Sequence, residues 1–269
     1  MKILIQCRFS DSKAELSAHE LKDFLVSIGH KPIISTKNLQ EQGQSLFSLS
    51  DKPELVIVIG GDGTILLVTQ RMPVQVPIVG INYGEVGFLT DLEPDVAFDA
   101  FRTLKEPLVT EPRMRIEIDI NGKYVGTALN EALIVTDRPA KMLKFLIHIN
   151  GKIAERFRAD GLIISTPTGS TAYAMSSGGP IVDPRVFGFL LVPLAPFMLS
   201  NRPHLIDSTR EVSITLKAQR ASRLVIDGQI DIHIDSGSTV DIRKSPEPAL
   251  FLDVGQNFFE KINRKLRHL

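Results

Sequence analysis

The chain has 269 residues, 43% hydrophobic and 23% charged, the make-up of a soluble globular protein long enough for one large domain or two modest ones. Lysine plus arginine equals aspartate plus glutamate at 31 each, which excludes a global electrostatic attraction to nucleic acid or to an anionic membrane while leaving a local basic pocket open. No apolar run approaches the roughly 18 residues of a membrane span, and the single cysteine, Cys7, excludes an intrachain disulfide.

In chain order, KILIQC is an apolar run too short for a signal peptide. It is expected to form a first strand with Cys7 in the core, and the protein is expected to be cytoplasmic. SDSKAELSAHELKDFLVSIGH places Leu16, Leu21, Phe24, Leu25 and Ile28 on one helical face and stops at Gly29. KPIIST is short and β-like. ELVIVIG is a continuous apolar run, the mark of a strand covered on both faces. A helical run follows from Thr64 (TILLVTQRM), then a buried strand (VPIVGIN), then a helix with Pro94 near its start (EPDVAFDAFRTL). This alternation predicts a Rossmann-like, doubly wound parallel sheet.

Near residue 108 the pattern changes. RIEIDINGKYVGTALNEALIV and KFLIHINGKIAERFRADGLIIST both alternate polar and apolar residues, with Asn121-Gly122 and Asn150-Gly151 at the turns, a strong hairpin signal. EVSITLKA, SRLVIDGQ, IDIHID and STVDIRK read as further strands. The predicted fold class is therefore an α/β N-terminal domain over 1–107 and an antiparallel β-rich domain over 108–251. A C-terminal helix within 252–269, with Phe258, Phe259, Ile262 and Leu266 at helical spacing, is expected to pack back on the first domain.

The chemistry concentrates in three stretches. Gly60-Gly61-Asp62-Gly63-Thr64 follows the buried strand, at the sheet edge where α/β folds place ligands. Its glycines permit positive φ and close approach of backbone N–H groups to an anion, and the following helix points its N-terminus there. Asp62 would repel a phosphate, so it fits either a metal ligand or an acceptor for a hydroxyl near the phosphates. The P-loop signature is absent, and Gly80, Gly84 and Gly87 do not have dinucleotide-fingerprint spacing. In the second stretch, RADGLIISTPTGSTAYAMSSGGP, hydroxyls and glycines crowd together as a neutral cradle for phosphate and ribose. There Arg158 suits a phosphate, Asp160 a ribose or a metal, and Tyr173 a stacked ring. The third, LNEALIV, sets Asn130-Glu131 inside a strand, so at least one faces the core, and a buried Glu needs a partner. The histidines at His19, His30, His148, His204, His233 and His268 show no spacing for a structural zinc.

Together, the G-G-D-G-T loop, Asn130-Glu131 and the T-P-T-G-S-T-A-Y loop, with GINYGEVGFLTDL and LSNRPHLI, resemble the NAD kinase family over roughly residues 50 to 255. G-G-D-G-T alone is also similar to loops of 6-phosphofructokinases and of diacylglycerol and sphingosine kinases; the long hydroxyl loop is far more specific. The resemblance implies phosphorylation of the 2′-hydroxyl of the adenosine ribose of NAD, with ATP as donor and a divalent cation, Mg²⁺ by expectation. It implies Asp62 as the catalytic carboxylate with Gly63 beside it at the nucleotide, Asn130 and Glu131 at the adenine-side ribose or the phosphates, and Asp160 at the nicotinamide end. Thr171, Ala172, Tyr173 and Ser176 would line the adenine and diphosphate site, joined by Thr168, Ala174 and Met175. Lys141, Arg158 and Gln229 would add substrate contacts. Family members are homodimers or homotetramers in which a neighbouring subunit can complete the site. The competing readings are another kinase sharing G-G-D-G-T, acting on a lipid or sugar, and a dinucleotide sensor without turnover.

Overall fold

The structure, a computed structural model, describes all residues except 9, 42, 84–86, 139–140, 218–221 and 267–269. Gly84 of the glycine series, Ala218 at the end of one expected strand, His268 and the last three residues of the expected C-terminal helix therefore lie outside the described residues.

The chain runs β1 (Lys2–Cys7), α1 (Ser12–Ser27), β2 (Lys31–Ile34), β3 (Leu55–Gly60), α2 (Asp62–Arg71), β4 (Ile78–Asn82), α3 (Pro94–Arg102) and β5 (Thr110–Arg113). Strands follow at β6 (Ile116–Ile120), β7 (Lys123–Ala128), β8 (Glu131–Thr136), β9 (Leu143–Ile149), β10 (Lys152–Ala159) and β11 (Gly161–Ser165). A short α4 (Tyr173–Ser176) precedes β12 (Gly188–Leu194), β13 (His204–Asp207), β14 (Val212–Leu216), β15 (Ser222–Ile226), β16 (Ile230–Ile234) and β17 (Thr239–Lys244). The chain ends on β18 (Ala249–Leu252) and α5 (Phe258–Leu266). It divides into two compact units, Met1–Pro112 with Ala249–Leu269, and Arg113–Pro248.

In the first unit the sheet order is β2-β1-β3-β4-β18-β5, parallel from β2 through β18. β3 is buried at all six positions, as its unbroken apolar run requires when helices cover both faces. Ala14, Ala18, Leu21 and Leu25 of α1 join Ile3, Ile5, Leu55, Ile57 and Ile59 in the core. Leu16, expected on the buried face of α1, is 63% exposed, and Cys7 is half-buried at the rim of the core.

The second unit is made of two six-stranded antiparallel sheets, β10-β9-β14-β17-β6-β7 and β13-β12-β11-β8-β15-β16. Their alternating residues meet in one core containing Ile118, Ile134, Phe145, Leu162, Ile164, Ile214, Leu224 and Ile242. Both N-G turns adopt the left-handed pair that a two-residue hairpin needs, at Asn121 (φ 50°), Gly122 (φ 76°), Asn150 (φ 50°) and Gly151 (φ 73°). β11 is buried throughout because its other face is covered too, with Ile163 packing against Ala174, Val182, Leu190 and Val192.

α5 forms where helical spacing predicted it, capped by Asn257, whose Oδ1 accepts from Phe259 N at 2.8 Å. Its buried residues, however, are Lys261 and Lys265, whereas Phe259 is 58% exposed. Lys261 Nζ pairs with Asp91 at 2.6 Å and Arg264 with Glu93 at 3.8 Å, so the helix docks on its own unit through charge rather than an apolar stripe. Among the described residues no helix is long and apolar enough to cross a membrane.

Candidate active site

The first unit has its topological switch between β1 and β3. The chain leaves β1 through α1 to β2 on one side and leaves β3 through α2 to β4 on the other, and the crevice at the carboxyl ends of such strands is where open α/β sheets bind ligands. Gly60 closes β3 at that edge. α2 begins at Asp62, two residues earlier than expected, because Gly61 (φ −102°, ψ −174°) already serves as its N-cap. An acidic residue in a first helical turn is favoured by the helix dipole.

The Asp62 carboxylate is gripped by the segment after β4. Phe88 N donates to Oδ2 at 2.7 Å and Leu89 N to Oδ1 at 2.9 Å. Gly87 must be glycine here, since a Cβ would stand 2.6 Å from Asp62 Oδ1. An ionised carboxylate offers about four acceptor positions, so Asp62 is fixed in orientation and can still accept a hydroxyl proton. The loop glycines permit the left-handed region but do not use it. Gly60 is needed for space, as a Cβ would lie 2.6 Å from Thr64 Oγ1, while Gly61 and Gly63 face open space and leave the backbone accessible.

In the second unit, Asp227 organises the Asn130-Glu131 segment. Its carboxylate accepts Leu129 N at 2.8 Å, Asn130 N at 2.8 Å and Glu131 N at 3.0 Å. Asp227 sits at φ 49° and Gly228 at φ 66° in the turn between β15 and β16, so a hairpin dipeptide doubles as a buried clamp. The hydroxyl loop closes on the same segment from the other strand: Thr166 Oγ1 donates to Leu129 O at 2.6 Å and Ser165 Oγ to Asn130 O at 3.2 Å. Gly169 lies directly on the Asn130 carbonyl, where a Cβ would come 2.6 Å from the carbonyl carbon and also overlap its oxygen. Several hydroxyls of the loop are thus spent on holding the loop and the 129–130 segment, and Ser170 bridges to Val182.

Three side-chain atoms in this cluster are buried yet have no hydrogen-bond partner among the described residues: Asn130 Oδ1, Glu131 Oε2 and Thr168 Oγ1. Buried polar groups are nearly always satisfied, so these three, on Asn130 just before β8, on Glu131 at its start and on Thr168 of the hydroxyl loop, are candidates to meet a polar ligand. Burial, and secondarily the Asp227 charge, push the Glu131 carboxyl up to about 8. At neutral pH it is a neutral acid that donates as well as accepts.

The remaining expected site residues are dispersed. Thr171 is buried beside Thr168; Ala172 and Met175 are half-buried, and Tyr173 and Ser176 are exposed. Ala174 belongs to the apolar cluster on β11. Gln229 is exposed in the same turn as Asp227, and Lys141 is exposed. Arg158 stacks over Phe197 at 4.0 Å. Asp160, with Oδ1 buried and unpartnered, adjoins Thr136 at the far end of β8 from Glu131. Five residue steps along β8 separate these ends, about 17 Å. One copy of the chain therefore gathers Asn130, Glu131, Thr168, Thr171 and the 227–229 turn, and sets Arg158 and Asp160 apart.

A fixed carboxylate at the switch point of a doubly wound sheet, and a cluster of unsatisfied carboxyl, amide and hydroxyl groups on an antiparallel sandwich, fit a nucleotide-dependent phosphotransferase of kinase type. Comparison with known proteins gives the family. Residues 7–108 match the ATP-NAD kinase N-terminal domain and residues 129–254 the ATP-NAD kinase C-terminal domain. The chain belongs to the ATP-NAD kinase family, whose reaction is the ATP-dependent phosphorylation of NAD. It is 69% identical over 269 residues, the whole of both chains, to an NAD kinase of Methanospirillum hungatei, and 50% identical over the whole of both to one from Methanoculleus marisnigri. A solved NAD kinase from Archaeoglobus fulgidus in complex with ATP superposes with a TM-score of 0.84 at 28% identity, covering all of both chains. The yeast NADH kinase complexed with NADH shares the fold, with a TM-score of 0.87 at 21% identity over 99% of this chain and 87% of that one.

Proposed function

We propose that the chain transfers the γ-phosphoryl group of ATP to the 2′-hydroxyl of the adenosine ribose of NAD, giving NADP, with Asp62 as proton acceptor. The observation that carries the reading is the Asp62 carboxylate, oriented by two backbone N–H groups and set at the open N-terminus of α2. The 2′-oxygen attacks the γ-phosphorus, the bond to the β–γ bridging oxygen breaks, ADP departs, and the hydroxyl proton passes to Asp62. A ribose hydroxyl is a poor nucleophile and a carboxylate a weak base for it, but the transition state of phosphoryl transfer is loose, so the proton leaves late. Accessible amides of the glycine loop and the first turn of α2 favour the charge gathering on the phosphates.

Among the described residues no three His, Cys, Asp or Glu side chains are placed to hold a metal ion. A divalent cation, Mg²⁺ in this reading, would be carried largely by the phosphates of ATP and would screen their charge during transfer. With both Asp62 oxygens already accepting backbone N–H groups, the hydroxyl-acceptor role is preferred to that of a metal ligand. On the NAD side, Asn130, the protonated Glu131, Thr168 and Thr171 serve ribose and phosphate groups, and Tyr173 an aromatic ring. The distance of Asp160 and Arg158 from this cluster supports a homodimer or homotetramer in which those two residues serve a neighbouring copy. The balanced charge and single cysteine fit a cytoplasmic setting without nucleic-acid or membrane partners.

The test is NADP formation from NAD by purified protein with ATP and Mg²⁺, wild type beside Asp62→Asn. The variant keeps shape and removes the base, so kcat is expected to fall at least about 10²-fold. A near-wild-type rate in the variant removes Asp62 from the mechanism. NAD binding with no product from the wild type identifies a sensor instead.

A further inference from the structure

α5 brings three cations to the segment that grips Asp62, and two of them are paired: Lys261 with Asp91 at 2.6 Å and Arg264 with Glu93 at 3.8 Å. The third is not. Lys265 is 7% exposed, and among the described residues its Nζ finds no hydrogen-bond acceptor. It stands 5.7 Å from the centre of the Phe88 ring, the residue whose backbone N–H holds Asp62. The acidic groups within its field are Asp62 and Glu93, opposed by Lys261 and Arg264. Asp62 has two backbone donors, and Glu93 already faces Asn82 Nδ2 at 3.3 Å as well as Arg264. Burial, and then the Lys261 charge, bring the amine down to about 8, so at neutral pH most of it is still an ammonium group.

A long cationic side chain normally carries its head out to water. Here the helix buries it beside the segment that holds Asp62, where no acceptor among the described residues meets it. The apolar stem and the Phe88 face fill space that a leucine or methionine would fill equally well, so packing does not explain the charge. An anion at the loop does.

We propose that Lys265 is a helix-borne ligand of the phosphoryl donor, its ammonium group taking an oxygen of the ATP triphosphate as the acceptor that no described residue supplies. The proposal rests on the reading of the glycine loop as the phosphoryl-transfer site. It makes the C-terminal helix part of that site and gives Lys265 direct contact with substrate.

The test is Lys265→Met in the full chain, with Lys265→Arg beside it. Binding of MgATP and of NAD is followed separately by calorimetric titration, alongside steady-state kinetics and thermal melting. Lys265→Met is expected to keep or raise the melting temperature, to bind NAD within twofold of wild type, to lose at least tenfold in MgATP affinity, and to lose about 10²-fold in kcat/KM for ATP. Lys265→Arg, which keeps the charge, is expected to recover part of the MgATP affinity. MgATP affinity within twofold of wild type in folded Lys265→Met overturns the proposal. So does an equal loss of MgATP and NAD binding with a lowered melting temperature, which marks a structural lysine. Because MgATP binding is measured without turnover, the proposal is decided even if the wild type makes no NADP; that result would count against the kinase reading alone.

Discussion

Glu131 gives the sharpest quantitative prediction. Its carboxyl ionises near 4.5 in an unfolded chain and is pushed up to about 8 in the fold. Between those values the folded state holds a proton that the unfolded state releases, so stability falls as pH rises through this window. Each pH unit above 4.5 costs the fold about 1.4 kcal/mol until the carboxyl ionises near 8, or about 3 kcal/mol at pH 7 and about 4 kcal/mol or more beyond pH 8. Glu131→Gln preserves size and is neutral at every pH. The variant should match wild type to within about 1 kcal/mol at pH 5 and exceed it by roughly 3 kcal/mol at pH 7. The chain has no tryptophan, so urea unfolding is followed by far-ultraviolet circular dichroism at pH 5, 6, 7 and 8, and the difference in unfolding free energy is plotted against pH. A difference that stays flat within about 0.5 kcal/mol, the noise of a surface substitution, refutes the claim that Glu131 is neutral in the fold. The second cause is separable. The Asp227 charge contributes to the shift, so in an Asp227→Asn background the rise of that difference should start at the same pH but level off at lower pH and at a smaller value.

Other substitutions test the remaining contacts. Gly87→Ala drives a methyl group to within 2.6 Å of Asp62 Oδ1, so kcat should fall at least about tenfold, in proportion to the carboxylate's displacement from productive geometry; unchanged kcat would show that the clamp is dispensable. Gly169→Ala pushes on the Asn130 carbonyl carbon at 2.6 Å and should destabilise the second unit by about 1–3 kcal/mol, the range for overpacking, read by thermal melting. Asp227→Asn keeps an oxygen and tolerates the φ of 49° but weakens three hydrogen bonds to the 129–131 amides, a loss of about 3 kcal/mol, checked by urea unfolding. Mixed oligomers of Asp62→Asn and Asp160→Asn chains should regain activity that neither parent has, if a neighbouring copy completes each site; no recovery would confine the site to one chain.

Why some of this was legible in the sequence and some was not comes down to the range of the interactions. The apolar run of β3, the helical period of α1 and the two N-G turns are set by a residue and its near neighbours, and burial on one face or both is written into their period. The three stretches rich in glycine, hydroxyls and carboxylates were legible for a similar reason, since each is contiguous. What the sequence hides is which buried polar group answers which. Asp227 lies 96 residues from Glu131 N, and nothing in the dipeptide Asp-Gly says more than turn. The grip of Phe88 and Leu89 on Asp62 uses backbone donors, which every residue has, so no side-chain pattern announces it. The sequence shows that the loop glycines permit positive φ and close approach of the backbone; that Gly60 answers instead to the space beside Thr64, and Gly87 to that beside Asp62, depends on where the fold puts those side chains.

α5 shows the same limit from the other side. Its sequence offers Phe258, Phe259, Ile262 and Leu266 at helical spacing, and an amphipathic helix facing its core through that stripe is the natural inference. The fold instead turns Lys261 and Lys265 inward. For Lys261 the reason is visible in Asp91, 170 residues away in sequence and 2.6 Å away in space. For Lys265 no described residue gives the reason, and a buried ammonium group without an acceptor is unfavourable by itself. A helix that buries two cations beside the loop holding Asp62, and leaves one of them unanswered, makes physical sense when the missing partner arrives with the substrate. The buried polar groups without a partner among the described residues, at Lys265 in one unit and at Asn130, Glu131 and Thr168 in the other, fit the proposed ligands of each unit: an anion at the first, and a ligand rich in hydroxyls and phosphate oxygens at the second.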